Sequence, residues 1–370
     1  MTDAVVLYYD EFHTPRELVA ALADPLVLDV ELGAGAAVPE SSGFRLRTVD
    51  ARDRFCEEYL LRAVKANAVY AGGYTLSAAL ARPLLAEICA EVVEEERART
   101  LVHGFAGNDQ LRFEMAMRVL APGVEVTSTA RLLGSQNRRN GDGTTTSENL
   151  WGRTVEAGPL ADPAVPPPPE LLAAGESAPA LHTVRFEEGR PVALDGEEFA
   201  LPELVARLDA IGRPRGVGVC DLVEDGFVGL KTRAVYDAPA ATSLIVAHRD
   251  LEAFVSSRRQ NDFKAAVDAA WAALVYDGLW FDPQRQSLDA YVDDVNRWVN
   301  GEVDLLFRPG GVRAVARRSA CALYDERSAV YRVGQDFAVD GVAAVAELLA
   351  LPMQAAARRR QPREEAAWSA

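Results

Sequence analysis

Thr100-Leu101-Val102-His103-Gly104-Phe105-Ala106-Gly107-Asn108-Asp109-Gln110-Leu111-Arg112-Phe113-Glu114 changes character twice. A strand-like apolar run ends at Gly104, a small-residue turn follows, and Asn-Asp-Gln-x-Arg opens a helical pattern. The same alternation extends upstream. Leu76 to Glu96 reads as a long helix, and Asp53 to Ala68 as another, with Phe55, Tyr59, Leu60 and Val64 at helical spacing. Ala4 to Tyr9 is a short apolar run that predicts a buried strand, Pro15 to Leu22 a helix, and Leu26 to Leu32 a second strand. Gly33 to Gly43 is rich in Gly, Ala, Pro and Ser and reads as a loop. Strands alternating with helices predict an α/β domain built on a parallel, doubly wound sheet, which takes its ligands at the carboxyl ends of the strands.

Downstream the pattern loosens. Ser135 to Ser147 is polar, glycine-punctuated and without period, so a loop is expected. Pro163 to Pro169 holds five prolines and reads as an extended connector. Leu181 to Phe186, Gly216 to Lys231 and Thr242 to Ala247 read as strands. Pro202 to Ile211, Gln260 to Tyr276 and Ser287 to Asn300 read as helices. Val303 to Phe307 and Val312 to Ala316, joined by Arg308-Pro309-Gly310-Gly311, predict a hairpin. The second part is therefore α+β, and the charged tail after Pro352 reads as frayed or as an oligomer contact. Boundaries are expected at 1–150, 151–352 and 353–370.

At 370 residues and 40.0 kDa the chain is long for one core and suits two domains. Its 49% hydrophobic and 25% charged residues exclude wholesale disorder. With 39 Lys and Arg against 55 Asp and Glu, the net charge is −16, which argues against a nucleic-acid binder that works by neutralising phosphates. Cys56, Cys89, Cys220 and Cys321 are spaced too widely for a zinc motif or a redox pair, so no metal is expected. The amino terminus has no basic leader and no apolar run approaches a membrane span, so a soluble, cytoplasmic protein is expected.

Backbone N–H groups at the Gly104 turn suit an anion. Asn108, Asp109 and Arg112 converging there could read the amine and carboxylates of an amino acid; alternatively Asn108 and Asp109 cap the helix. This segment resembles argininosuccinate synthase. Tyr74-Thr-Leu-Ser-Ala-Ala-Leu-Ala-Arg-Pro83 is similar to the family's Tyr-Pro-Leu-x-x-x-Leu-Ala-Arg-Pro. Ser147-Glu-Asn-Leu-Trp-Gly-Arg-Thr-Val-Glu-Ala-Gly158 is similar to its Asp-Glu-Asn-Leu-Trp-Gly-Arg-Ser-x-Glu-Ala-Gly. Val223-Glu-Asp-Gly-Phe-Val-Gly-Leu-Lys-Thr-Arg-Ala-Val-Tyr-Asp-Ala-Pro239, Ala247-His-Arg-Asp-Leu-Glu252 and Leu274-Val-Tyr-Asp-Gly-Leu-Trp-Phe-Asp-Pro283 follow in family order.

The resemblance implies a nucleotide-binding-type parallel sheet domain, truncated here, then an α+β synthetase-type domain and a C-terminal oligomerisation tail in a tetramer. It implies joining the amine of aspartate to the ureido carbon of citrulline after ATP has adenylated the ureido oxygen. Carried over by motif, Tyr74, Asn108, Arg112, Thr145, Thr154, Glu224 and Tyr236 match positions that hold citrulline. Asn108 and Asp109 match positions that meet aspartate. Gly104 would serve a nucleotide, should one bind.

The departures fall on the nucleotide. Where the family has Ser-Gly-Gly-Leu-Asp-Thr-Ser, this chain has Tyr9-Asp10-Glu11-Phe12-His13-Thr14-Pro15. Two glycines become carboxylates, and each would face a polyanion at a penalty of roughly 3 kcal/mol at about 5 Å and an effective dielectric of about 20. The turn at His103-Gly104-Phe105-Ala106-Gly107-Asn108-Asp109 is two residues shorter than the family's His-Gly-x-Thr-Gly-Lys-Gly-Asn-Asp. ATP with Mg²⁺ is therefore disfavoured. Three readings stay open: an amino-acid enzyme without ATP, in which Asp10, Glu11 or His13 acts as acid or base; an ATP-dependent ligase with a modified loop; and a non-catalytic paralogue that serves as a structural or regulatory partner.

Overall fold

A computed structural model describes residues 3–9, 22, 24–33, 45–133, 143–167, 169–172, 178–326 and 340–360. Asp10, Glu11 and His13, the expected helix from Pro15 and most of the Gly33–Gly43 loop lie outside the described residues. The chain forms two compact units, Met1–Cys321 and Ala322–Ala370.

In the first unit, β1 (Ala4–Tyr8), β2 (Leu26–Glu31) and β3 (Arg45–Asp50) precede α1. The α1 run has helical Arg52–Arg54, a π-helical Phe55–Leu60 and helical Leu61–Lys65. Then come α2 (Ser77–Glu96), β4 (Thr100–His103), α3 (Gly107–Leu120) and β5 (Glu125–Ser128). The five strands pair in parallel in the order β3-β2-β1-β4-β5. The doubly wound sheet expected from the alternation is present. Val5, Val6, Val27, Leu28, Leu101 and Val102 are fully buried, as strands covered on both faces must be.

Two antiparallel sheets follow. One contains β6 (Thr144–Asn149), β7 (Gly152–Ala157), β11 (Val219–Asp225) and β12 (Lys231–Asp237), in the order β11-β12-β7-β6. The other is β10-β9-β8-β13-β14, from β8 (Ala180–Glu187), β9 (Arg190–Leu194), β10 (Glu197–Glu198), β13 (Gly301–Arg308) and β14 (Gly311–Arg318). Helices α4 (Leu201–Gly212), α5 (Pro239–Val255), α6 (Arg258–Tyr276) and α7 (Pro283–Asn296) complete the α+β part. Trp271 and Trp280 are core residues, whereas Trp298 is exposed.

Several expectations are corrected. Thr242–Ala247 is not a strand but the middle of α5. Pro239 opens that helix, and Ala241, Leu244, Ala247, His248 and Leu251 are buried at helical spacing. A six-residue apolar run reads the same as strand or helix, and the Pro-Ala-Ala start upstream decides it. Gly216–Lys231 is not one strand. It breaks at Gly226 and Gly229, where Gly226 N–H donates to the Leu230 carbonyl and Gly229 carries a φ of +79°. The Ser135–Ser147 loop gives way to β6 from Thr144. α7 starts at Pro283, four residues before its expected start, because Asp282 caps it by accepting from the Gln284 N–H at 2.7 Å. Pro163–Pro169 is not extended throughout, since Pro169 opens a helical turn, Pro169–Leu172. In the second unit α8 (Asp340–Arg360) carries the helix through Pro352, beyond which a tail, frayed or used in an oligomer contact, was expected; the fraying is corrected as far as Arg360.

Among the described residues no helix is long and apolar enough to cross a membrane. Among them, too, no group of His, Cys, Asp or Glu is gathered to hold a metal. All four cysteines are free.

Candidate functional site

Cross-strand register builds one wall of a pocket. Tyr236 on β12 lies opposite Thr154 on β7, and Thr154 opposite Ser147 on β6. Two residues along, Ala234 faces Glu156, which faces Thr145; on the outer strand Glu224 faces Thr232. Side chains alternate across a strand, so Glu224, Thr232, Tyr236, Thr154, Glu156 and Thr145 share one face of the sheet, and all of them line the pocket.

The opposing wall comes from two helix starts in the parallel-sheet domain. The Tyr74 hydroxyl accepts from the N–H groups of Ala78 and Ala79, at 3.1 and 3.2 Å, and so caps α2. With both acceptor positions used, its proton is left to donate. Burial pushes the Tyr74 phenol up to about 12, with Arg112 opposing, so it stays protonated. Helix α3 begins after Ala106 with no side-chain cap, so its first-turn N–H groups and dipole suit an anion. The capping alternative for Asn108 and Asp109 is thereby corrected: they lie inside the first turn and turn their side chains elsewhere.

Asp109 sits between two guanidiniums. Arg82 Nη2 donates to its Oδ2 and Arg112 Nη1 to its Oδ1, both at 2.8 Å. Burial alone would raise this carboxyl; Arg82 and Arg112 outweigh it and hold the group below the usual range. Glu224 goes the other way. Its carboxylate is 6% exposed, and burial raises its pKa against the hydroxyls of Tyr276 and Tyr236, which favour the charged form. Oε1 accepts from the Tyr276 hydroxyl at 3.0 Å, whereas Oε2 is buried without a hydrogen bond of normal geometry. Glu156, open to the pocket, is also raised, by burial and then by Asp109 and Glu224.

All eight carried-over residues (Tyr74, Asn108, Asp109, Arg112, Thr145, Thr154, Glu224 and Tyr236) therefore line one pocket of about 330 Å³. Gly104 is buried in the turn after β4 and is not among its lining residues. Asp10, Glu11 and His13 lie outside the described residues. The sequence reading missed Arg82, Glu156, Ser147 and Thr232. All four stand in quoted motifs; Ser147 and Glu156 also lie two residues, and Thr232 four, along strands that already carry a candidate.

Beside this pocket, β1 and β4 are neighbours, and the strand order reverses there, with β2 on one side and β5 on the other. Open α/β sheets bind ligands at the carboxyl ends of such a pair. Here Tyr9 follows β1 and Phe105 follows β4, both buried, with rings meeting edge to face at 6.2 Å. The Arg82 guanidinium lies 4.3 Å from the Phe105 ring and 5.2 Å from the Tyr9 ring. His103 Nδ1 accepts the Phe105 N–H at 3.1 Å, which fixes the turn.

Comparison with known proteins gives the family. The profile described as "Arginosuccinate synthase N-terminal HUP domain" matches residues 6–145, and that described as "Arginosuccinate synthase C-terminal domain" matches residues 145–356. The chain is 39% identical over 303 residues to the argininosuccinate synthase of Pyrococcus furiosus, covering 76% of this chain and 74% of that one. It is 38% identical over 360 residues to that of Rubrobacter xylanophilus, covering 89% and 88%. Two domain profiles, relatives aligned over most of their length and a doubly wound sheet followed by antiparallel sheets place the chain in the argininosuccinate synthase family.

Proposed function

We propose that the pocket holds a citrulline-like amino acid, with a ureido or guanidino side chain, beside aspartate, for carbon–nitrogen bond chemistry in which ATP use is altered or lost. The observation that carries this reading is Glu224 Oε2, a buried acceptor without a hydrogen bond of normal geometry, on a carboxylate that also faces the Tyr236 hydroxyl, in a pocket that contains an uncapped helix start. An unmade hydrogen bond at a buried acceptor costs about 1–3 kcal/mol, and an ammonium would recover it. The first turn of α3, the Tyr74 hydroxyl and Arg112 would take a carboxylate. A ligand with ammonium and carboxylate on one carbon satisfies both sides. Thr145, Thr154, Tyr236 and Asn108 would orient it, and Asn108 and Asp109 would meet aspartate.

The account of ATP is supported by the chain's own residues at the reversal of strand order. A phosphate cradle calls for glycines and open N–H groups. Among the described residues there, Tyr9 and Phe105 present buried rings and Arg82 already pairs with Asp109. These residues do not fit a triphosphate. Asp10, Glu11 and His13 are carried as candidate acids or bases on sequence alone. The boundaries at 150 and 352, a cytoplasmic location and a homotetramer joined through the C-terminal segment belong to the same proposal.

Incubation of the purified chain with aspartate and citrulline, with and without ATP–Mg²⁺, while argininosuccinate and pyrophosphate are followed, tests this. No ATP-dependent product is expected; argininosuccinate supplied instead is expected to be hydrolysed slowly without ATP, water giving its oxygen to the ureido carbon and the nitrogen leaving with aspartate. Pyrophosphate released in step with argininosuccinate would instead establish the ligase reading.

A further inference from the structure

Tyr276 ends α6 and does not line the pocket, yet it touches four residues that do. Its hydroxyl donates to Glu224 Oε1 at 3.0 Å and lies 3.5 Å from Asn108 Nδ2. Its carbonyl accepts from Arg112 Nε at 2.7 Å, and the Arg112 guanidinium lies 4.6 Å from its ring centre. The ring stacks on Tyr70 at 3.6 Å and 10°, and meets Tyr74 edge-on at 6.2 Å. Tyr70 in turn donates to the carbonyl of Asp225, next to Glu224 in sequence. Two residues on, Gly278 has a φ of +74°, and a Cβ there would stand 3.0 Å from Arg112 Cα and Cγ. Only glycine lets the end of α6 approach α3 so closely.

We infer that Tyr276 is a positioning residue of the amino-acid site: its hydroxyl selects which oxygen of Glu224 faces the ligand, while its carbonyl and ring hold Arg112. The inference rests on the proposed function and deepens it. A phenol has one proton. Given to Oε1, it leaves Oε2 as the acceptor offered to an ammonium. The Asn108 amide is oriented from two sides, since its Nδ2 approaches the Tyr276 oxygen while its Oδ1 accepts the Phe227 N–H at 3.3 Å. Asn108, Tyr276 and Glu224 thus form a directed chain of donors and acceptors that ends at the ligand. Arg112 is held at one nitrogen by Tyr276 and at another by Asp109, so its plane is fixed before anything binds.

The test is calorimetric titration of wild type, Tyr276→Phe, Glu224→Gln and the double variant with L-citrulline across pH 5 to 8. Phenylalanine keeps the ring, and with it the Tyr70 stack and the Arg112 contact, so the fold has every reason to persist. Binding is expected to weaken about tenfold, as loss of a hydrogen bond to a charged group predicts. The acid limb of the binding curve is expected to move to higher pH, because the lost bond favoured the ionised carboxyl. The double variant should bind no more weakly than Glu224→Gln alone. Unchanged affinity and an unmoved acid limb in Tyr276→Phe, with wild type binding, overturn this inference alone. Additive losses, or a variant that melts out where the ring should hold it, assign Tyr276 to packing and overturn it too. A wild type that takes no citrulline overturns the proposed function beneath it.

Discussion

Glu224 and Asp109 are carboxylates in one pocket with opposite settings. Asp109 is ionised and already neutralised by Arg82 and Arg112; Glu224 has no cation of its own and is raised by burial. A folded-state pKa above the unfolded value means that protonated Glu224 stabilises the fold. That contribution is full below the unfolded pKa and is lost as pH rises through the folded one. Ligand binding has the opposite slope, since an ammonium needs the ionised form. Citrulline affinity is therefore expected to fall as pH drops through a midpoint above the ordinary glutamate range, read from the dissociation constant against pH. In Glu224→Gln the acid limb should vanish and affinity drop by at least about tenfold, while the melting temperature at pH 7 holds or rises because a buried charge is gone. A Glu224→Gln protein that binds as wild type does would remove the ammonium site.

At the scale of elements, period-two alternation built the pocket wall and a helical period built α5, and the sequence distinguished them unequally. Thr154 and Glu156 both lie on β7 and in one motif, yet only Thr154 matches a family position that holds substrate; Glu156 reaches the pocket through strand alternation. Thr242–Ala247 is as apolar as a strand and became helix through burial of Leu244, Ala247 and His248 against the core. Helix α8 shows a different kind of face. Val342, Val345, Leu348, Leu349 and Met353 are each 45–68% exposed along it. An apolar stripe of that length on one helix is a surface to be covered. The proposed homotetramer would use it, so Leu348→Asp with Leu349→Asp should lower the mass seen by light scattering from four copies towards one. A wild type that is already monomeric would contradict that part of the proposal.

For the whole molecule, the sequence made the α/β order, the parallel sheet and eight pocket residues legible, because local period and contiguous motifs carry them. It did not make legible what joins distant segments. Tyr276 meets Arg112 and Asn108 across more than 160 residues, and Glu224 across 52. No local pattern encodes those pairs; they appear only when β11, α3 and the end of α6 are brought together. The fold thus gathers one wall from helix starts and one from a sheet face, with the donors proposed for a carboxylate on the first and the Glu224 carboxylate proposed for an ammonium on the second. The measurement that tests this most directly is calorimetric titration of the purified chain with citrulline, aspartate, argininosuccinate and ATP–Mg²⁺, each alone. The account predicts that citrulline binds and that ATP does not. Micromolar ATP binding, or silence from citrulline, would contradict it.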